Sequence, residues 1–492
     1  MKTAFLSLVT GLVVAATATA ATPPRDLPDG YTLETIEIPS HITLGVGGLC
    51  FAPSGELYIS TREGEVWKYR DGNWSLFADG LHEALGLYID PKTSEVWVMQ
   101  RPELTKLVDT DGDGKADVYQ TVNGDWGLSD NYHEYAFGPV RDAHGNFYGT
   151  LNTTLSWRGW AGSDRWDVGR VHDSKMGRDV KYRGWCFQIT PDGKFVPFAS
   201  GMRSPAGITI NKAGELFYTD NQGDWNCTSS LHNIVKGRFY GHPSSLMDDP
   251  AFAGRNLNRI TVEEYDKLRH RPAVYFPHGE LASSPGEPTF NETSGKFGPF
   301  EDEVFVGDQT KSNLMRAWLE RVGGEYQGVI FDFADPLQCG VIRNRFAPDG
   351  SLWIGETGRG WRSVGDKVFG LQRIKWDGKT MPMEMHSVSL TKTGFHIKFT
   401  RAVDPATAAR PENYAIKHWG YIYQGEYGSP KVGLTELNPS SVKLSADGKE
   451  AELQLPLVKE RVYQFTLNNI TGADGARITN PSGYYTLNRL RE

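Results

Sequence analysis

The chain has 492 residues, and its 52 Lys and Arg against 60 Asp and Glu give a formal net charge of −8 at pH 7. This acidic balance excludes a nucleic-acid-binding protein that works through a basic surface. The 14 Trp, 21 Tyr and 23 Phe exclude a disordered chain. With 55 Gly and 27 Pro, the composition favours a turn-rich, all-β protein of roughly two to four domains.

The first residues have the pattern of a signal peptide at 1–20. Lys2 supplies the positive charge, 4–16 is an apolar run too short to span a bilayer, and 18–20 reads Ala-Thr-Ala, a cleavage signal. This segment predicts an exported protein, periplasmic or secreted, without membrane insertion. Export permits disulfides, so up to two bridges could form, and the sequence leaves their pairing open. The four cysteines are Cys50, Cys186, Cys227 and Cys339.

One sequence pattern recurs six times: an apolar strand, a turn rich in Pro, Gly and Asp, and a second strand with aromatic and β-branched residues. Two strands alone bury too little surface, so such units must pack side by side. We therefore predict a six-bladed β-propeller over 21–378, closing near Trp376, rather than a pair of β-sandwiches. The six copies lie at 49–60, 87–99, 136–150, 208–220, 297–308 and 345–356.

Two long intervals, 150–208 and 221–297, are predicted to be insertions on one face of the propeller. They carry tryptophans that could stack on sugar rings, namely Trp157, Trp160, Trp166, Trp185 and Trp225. Beyond the propeller, alternating apolar segments over 384–492 predict a small β-sandwich of immunoglobulin-like size. We expect this module to serve packing or adhesion rather than chemistry.

An acidic loop at 109–117 has the spacing of a calcium site. Acids occupy relative positions 1, 3, 5 and 9, and Gly114 at position 6 permits the sharp turn. Position 12, where a bidentate Glu is usual, is Gln120. The loop therefore predicts a structural calcium site, with an acidic turn lacking metal as the alternative. The predicted ligands are Asp109, Asp111, Asp113 and Asp117.

Charged and amide residues that border the repeats are expected to line the mouth of the propeller channel. Such a ring suits an anionic cofactor or a polyhydroxylated substrate, and a solvated mouth with structural ion pairs is the alternative. His133 is the best candidate for a general base, although a structural histidine fits equally well. The ring comprises Arg62, His82, Glu83, Arg101, Asn131, His133, Glu134, Arg203, Ser204, Asp220, Asn221, Gln222, Asp308, Gln309, Arg343, Asn344, Glu356 and Arg359.

Two stretches, 201–226 with 233–243 and 132–152, resemble the soluble sugar and sorbosone dehydrogenases, six-bladed propellers that use pyrroloquinoline quinone (PQQ) and calcium. Together with 104–121, they are also similar to exported bacterial propellers of the "membrane-bound dehydrogenase" type. The resemblance implies that His133 removes the proton of a sugar hydroxyl and that Arg203 contacts PQQ. It implies a calcium-binding loop at Gln222 and Gly223, and the other cofactor-binding candidates are Arg62 and Arg359.

The resemblance is incomplete at several positions. Ser204 stands where the family has Asn, Ser229 and Ser230 replace its acidic pair, and its Arg-x-Arg is not evident near Arg359. Three functions therefore stay open for a protein whose expected partner is a carbohydrate. The first is oxidation of a sugar hydroxyl with PQQ and calcium. The second is a polysaccharide lyase or glycoside-cleaving enzyme, and the third is a non-catalytic glycan-binding protein.

Overall fold

The structure, a computed structural model, describes residues 27–155, 176–358 and 363–492. The predicted signal peptide at 1–20, three of the tryptophans (Trp157, Trp160 and Trp166) and Arg359 lie outside these residues. The fold is all-β: a six-bladed propeller of four-stranded antiparallel sheets is followed by a small β-sandwich. No helix in the described ranges is long and apolar enough to cross a membrane.

The first three blades follow one another along the chain, and each runs from an inner strand to an outer one. Blade 1 contains β2 (Val46–Phe51), β3 (Leu57–Thr61), β4 (Val66–Arg70) and β5 (Asn73–Ala78). Blade 2 contains β6 (Gly86–Ile89), β7 (Val96–Met99), β8 (Leu104–Val108) and β9 (Val118–Asn123). Blade 3 contains β10 (Ala136–Arg141), β11 (Phe147–Leu151), β14 (Trp185–Ile189) and β15 (Phe195–Ser200), and a small ribbon of β12 (Thr154–Leu155) and β13 (Met176–Gly177) interrupts it.

The remaining blades close the ring. Blade 4 contains β16 (Pro205–Ile210), β17 (Leu216–Asp220), β18 (Ser230–Ile234) and β19 (Val274–Tyr275). Blade 5 contains β20 (Pro285–Phe290), β21 (Val304–Asp308), β22 (Leu314–Val322) and β23 (Glu325–Ala334). Blade 6 contains β24 (Val341–Phe346), β25 (Leu352–Thr357) and β26 (Phe369–Trp376), and the N-terminal β1 (Tyr31–Thr35) is its outer strand. Tyr31 pairs with Trp376, so the N-terminal β1 completes blade 6.

The inner strands approach one another closely around the central axis. A Cβ atom on Gly86 of β6 would lie 1.4 Å from the carbonyl oxygen of Gly138 in β10, so these backbones meet only because position 86 is glycine. Below this contact the guanidinium of Arg343 donates to the carbonyl oxygens of Gly47, Leu85 and Ala206, which belong to blades 1, 2 and 4. These hydrogen bonds engage the N–H donors of a guanidinium that is almost fully buried.

The C-terminal module is a sandwich whose two sheets differ in their relation to the propeller. One sheet contains β27 (Met385–Leu390), β28 (Gly394–Phe399), β31 (Ser441–Leu444) and β32 (Glu450–Gln454). The other contains β29 (Tyr414–Gly420), β30 (Val432–Leu437), β33 (Arg461–Leu467) and β34 (Ser482–Leu487). Because β34 pairs with β23, the second sheet and blade 5 form one eight-stranded sheet. The module and the blade therefore share a hydrophobic core.

Short helices occur in the long connections. They are α1 (Val262–Leu268), α2 (Pro405–Ala408) and the 3-10 turns Pro243–Asp248, Pro250–Phe252, Leu257–Arg259 and Pro411–Asn413. Thr261 caps α1, since its side chain accepts from the Glu264 amide and the Glu264 carboxylate accepts from the Thr261 amide. The interval 221–297 holds α1 and three of the 3-10 turns, but the two intervals predicted as insertions also contain β14, β15, β18 and β19, which are blade strands.

Two further sequence-based expectations need correction. The fifth hairpin was expected over 297–308, but only β21 falls there, and its partner is β20, at 285–290. Pro285 and Pro288 in β20 have no N–H group to donate to the neighbouring strand. Because prolines are not expected inside a strand, the sequence pattern did not identify β20. All four cysteines lie within the described residues as free thiols, so no disulfide forms.

Candidate functional site

A cavity of about 500 Å³ opens where the starts of the inner strands meet the ends of the second strands. Its walls come from all six blades and from the C-terminal module. Leu85, Phe137, Ala206 and Ile342 form an apolar part near Arg343, and polar and aromatic side chains form the rest. The other lining residues are Arg62, Tyr132, His133, Tyr135, Asn152, Leu155, Met176, Arg203, Ser204, Asn221, Gln222, Asp224, His278, Ser283, Ser284, Gln309, Thr310 and Tyr427.

His133 lies on the short connection before β10, and only 5% of its surface is exposed. Its Nδ1 lies 2.7 Å from the Thr153 carbonyl oxygen. Since a carbonyl only accepts, Nδ1 carries the proton of the neutral ring and Nε2 holds a lone pair. Nε2 lies 3.3 Å from the Ser204 hydroxyl oxygen. Burial, together with the charge of Arg203, lowers the pKa of His133 to about 3, so the ring is neutral at pH 7.

Arg203 and Ser204 enter the cavity from the start of β16. Asp220, at the end of β17, fixes their backbone by accepting from the Arg203 amide at 2.9 Å and the Ser204 amide at 2.7 Å. Burial raises the pKa of Asp220 to about 6, although these amide bonds oppose the shift. The Nε of Arg203 is buried and has no hydrogen-bond partner among the described residues. This Nε faces the backbone of Gly223, where a Cβ would lie 1.9 Å from it, and the guanidinium that lines the cavity can attract an anionic group through its charge.

Arg62 supplies a second cation to the same cavity. It donates to Glu83 at 3.2 Å and to the Tyr135 hydroxyl at 3.3 Å, while its buried Nε has no partner among the described residues. Arg101 also donates to Glu83 at 3.2 Å, but it does not line the cavity. Glu83 therefore balances two arginines, and, in the described part of the chain, the charged side chains that line the cavity are the cations Arg62 and Arg203 and the carboxylate of Asp224.

The expected calcium loop is part of the site, but its geometry differs from the expectation. The Gly223 carbonyl accepts from the Asn226 amide at 3.1 Å and from the Gly428 amide at 3.0 Å, so both its lone pairs are engaged. Gln222 lines the cavity, and its Nε2 donates to the Cys227 carbonyl at 3.2 Å. A calcium ion bound through Gly223 does not fit this arrangement.

The acidic loop at 109–117 lies on the edge of blade 2, between β8 and β9, away from the cavity. Asp109, Asp111 and Asp117 place carboxylate oxygens within 4.8 Å of one another, and Asp113 is not in this group. The carboxylate of Asp109 accepts from the amides of Gly112 and Gly114. The structure thus brings together three of the four predicted ligands.

Most of the other residues that were predicted to surround the channel mouth lie within the walls of the cavity and do not line it. Asp308 accepts from the amides of Ser283 and Ser284, as Asp220 does one blade earlier. Burial raises the pKa of Glu356 to about 8, so this carboxyl group is largely protonated at pH 7. The ring residues outside the lining are His82, Glu83, Arg101, Asn131, Glu134, Asp220, Asp308, Arg343, Asn344 and Glu356. Trp185 and Trp225 are buried and also lie outside it.

Several lining residues were missed by the sequence analysis. Ser284-Pro285 opens β20 as Ser204-Pro205 opens β16, and this repeated dipeptide could have identified Ser283 and Ser284. Asn152, Asp224 and His278 carry no comparable local signal. Tyr427 was missed because it comes from the C-terminal module, more than 200 residues from Arg203 in the chain.

Comparisons with known proteins agree with this fold. A family model described as "Domain of unknown function (DUF7133)" matches residues 70–357. Among curated proteins, none matches the sequence. The structure is similar to a putative oxidoreductase (glucose dehydrogenase) from Thermus thermophilus, with 20% identity, a TM-score of 0.50, and coverage of 70% of this chain and 100% of that one.

Two further solved structures are similar at lower scores. The PQQ-bound aldose sugar dehydrogenase from Streptomyces coelicolor has 16% identity and a TM-score of 0.46, over 71% of this chain and 99% of that one. The holo PQQ domain of pyranose dehydrogenase from Coprinopsis cinerea has 12% identity and a TM-score of 0.49, over 71% and 96%. At these identities the likeness concerns the propeller fold.

Proposed function

The chain belongs to the DUF7133 family, and we propose that it is an oxidoreductase that oxidises a hydroxyl group of a sugar with PQQ as cofactor. The observation that carries the proposal is the placement of His133. Its Nε2 holds a lone pair in a cavity that is also lined by the guanidinium of Arg203. A base beside a cation is what removal of a hydroxyl proton requires.

His133 accepts the hydroxyl proton on Nε2. The bond from Nδ1 to Thr153 keeps the ring in the required tautomer before the transfer and remains a donor bond afterwards. In the structure the Ser204 hydroxyl, 3.3 Å from Nε2, donates to this lone pair, so the hydroxyl of a bound substrate would have to take its place. The positive charge of Arg203 contributes to the lowered pKa of His133. An anion bound beside Arg203 offsets this charge and raises the pKa of His133, which makes the imidazole a stronger base.

The cavity residues fit an anionic, flat cofactor. PQQ carries carboxylates, and the guanidinium groups of Arg203 and Arg62, which line the cavity, are cations that can pair with them. Tyr132, Tyr135 and Phe137 supply aromatic surface on the same walls. When bound, PQQ supplies the redox chemistry by accepting the two electrons and the hydrogen of the oxidised carbon. We propose no calcium ion at Gly223, because the oxygen atom of that residue is engaged.

Export and a structural calcium ion complete the proposal. The signal-peptide pattern at 1–20 supports a periplasmic or secreted enzyme. The grouping of Asp109, Asp111 and Asp117 supports calcium on blade 2, where it would stabilise the loop between β8 and β9.

A polysaccharide lyase is the second candidate, and the engaged Gly223 carbonyl favours it. A lyase needs a base, here His133, and a cation that neutralises a uronate carboxylate, here Arg203, and it needs no bridging calcium. It would release an unsaturated uronate whose absorbance grows with time.

The test is a calorimetric titration of the protein with PQQ, followed by dye-linked oxidation of aldoses. We expect PQQ to bind with one-to-one stoichiometry and to support turnover. Substituting His133→Ala should lower turnover by about 10²–10⁴-fold while PQQ affinity changes little. The exposed His144, substituted to Ala, is the matched control. Absence of PQQ binding would refute the proposal, and absorbance growth with polyuronates would select the lyase.

A further inference from the structure

The C-terminal module reaches into the cavity through the connection between β29 and β30. Tyr427 of this connection lines the cavity, and 59% of the residue is exposed. Its ring lies over the Arg203 guanidinium, with 5.3 Å from Cζ to the ring centroid. The backbone of Tyr427 forms a β-bridge with that of Asp224, and more than half of the residue stays exposed on the cavity wall, where a ligand can reach the ring.

The position of Tyr427 is fixed rather than incidental. The Trp225 amide donates to the Gln424 carbonyl at 3.0 Å, and the Gly428 amide donates to Gly223 at 3.0 Å. Gly428 has a φ of +68°, and a Cβ there would lie 2.7 Å from Cδ of Gln222. Only glycine permits this turn beside Gln222. The turn that presents Tyr427 is therefore built against the loop of blade 4.

The groups that line the cavity together with Tyr427 include amides, hydroxyls and the carboxylate of Asp224, whose backbone forms a β-bridge with that of Tyr427. Gln222, Gln309 and Thr310 line the cavity with Tyr427. Arg203 is only 7% exposed and lies beneath the ring. An anionic cofactor is drawn to the buried cation, whereas neutral amides and hydroxyls are the usual partners of sugar hydroxyl groups.

We propose that the C-terminal module is part of the active site and that Tyr427 is its substrate-binding residue, against whose ring face the C–H face of a sugar ring lies. This proposal rests on the proposed function, since it assigns the substrate side of the same cavity. It replaces the expectation that the module serves only packing or adhesion. The phenol hydroxyl takes no part, because the contact is made by the ring face.

The experiment compares Tyr427→Ala and Tyr427→Phe with Ile422→Ala, a half-exposed residue of the same connection that does not line the cavity. We expect Tyr427→Ala to raise KM for the sugar about tenfold, with kcat within about threefold, since stacking acts on binding. Tyr427→Phe and Ile422→Ala should behave like the unaltered protein, with the same PQQ affinity.

Sugar binding is also measured by calorimetry without PQQ, so that the two proposals fail separately. If the unaltered protein neither binds nor oxidises any sugar, the proposed function is wrong. If the unaltered protein binds or oxidises a sugar and Tyr427→Ala has the same sugar affinity and KM, the proposed function stands and only the proposal for Tyr427 is wrong. A loss of kcat in Tyr427→Phe would also overturn it, because the hydroxyl would then be needed.

Discussion

The Nδ1 atom of His133 donates to the carbonyl oxygen of Thr153 at 2.7 Å, which holds a neutral imidazole in a buried position. Because the folded pKa is about 3 and the unfolded pKa about 6.5, the unfolded chain gains a proton first as the pH falls. This contribution to stability is complete above pH 6.5 and is lost progressively towards pH 3. His242 has a similarly lowered pKa, again through burial, and acts in the same direction.

We therefore expect the free energy of unfolding to fall between pH 7 and pH 4.5 by about 2–3 kcal/mol for His133 alone. The measurement is urea unfolding at both pH values for the unaltered protein and for His133→Gln. The variant should lose less stability over this interval, although it is less stable at pH 7. Equal losses in the two proteins would contradict the prediction.

Calcium should stabilise the protein through the loop on blade 2. At a hundredfold excess over Kd, a bound ion adds about 2.7 kcal/mol to the free energy of unfolding. Because Asp109 belongs to the carboxylate group and Asp113 does not, Asp109→Asn should abolish the calcium-dependent rise in Tm. Asp113→Asn should keep most of it. No rise in the unaltered protein, or equal loss in both variants, would argue against the site.

Arg316 joins blade 5 to the C-terminal module, and its loss should be costly. Its fully buried guanidinium lies 2.9 Å from the Glu303 carboxylate and 3.8 Å from that of Glu384. Substituting Arg316→Met leaves buried carboxylates unpaired, so we expect a loss of about 3–5 kcal/mol in denaturant unfolding. Arg321→Met, which breaks a half-exposed pair with Glu215, should cost less than about 1 kcal/mol. Similar losses for the two variants would count against this account.

Gly86 should tolerate no side chain. An alanine Cβ would lie 1.4 Å from the Gly138 carbonyl oxygen, so β6 and β10 would have to separate. We expect Gly86→Ala to cost about 3 kcal/mol or more. The control is Gly72→Ala, where φ is +85° but a Cβ meets nothing within 4 Å, and about 1 kcal/mol is expected there. Denaturant midpoints measure both, and a mild effect at Gly86 would disprove the close contact.

The propeller was predictable from sequence because each blade begins with a local hairpin whose turn and strand residues are adjacent in the chain. The exception, β20, shows the limit, since Pro285 and Pro288 are not expected in a strand and 13 residues separate it from β21. The pairing of β23 with β34 has no local signature, because more than 140 residues lie between the two strands.

The residues of the candidate site were also predictable only in part. His133, Arg203 and Gln222 were named from the sequence, and the structure brings all three to one cavity. The engagement of Gly223 was not predictable, because its partner amide belongs to Gly428, in the other module. Tyr427 reaches the site through that same contact. Distant parts of the chain therefore decide what the local motifs can bind.

The pairing of β34 with β23 has a consequence for how the protein is made. β34 (Ser482–Leu487) follows β23 by more than 140 residues, so the outer edge of blade 5 stays open until residues 482–487 have been synthesised. An open strand edge is a template for pairing with another chain. Chains that lack residues 482–487, whether nascent or truncated, therefore carry an aggregation-prone edge that the pairing with β34 hides.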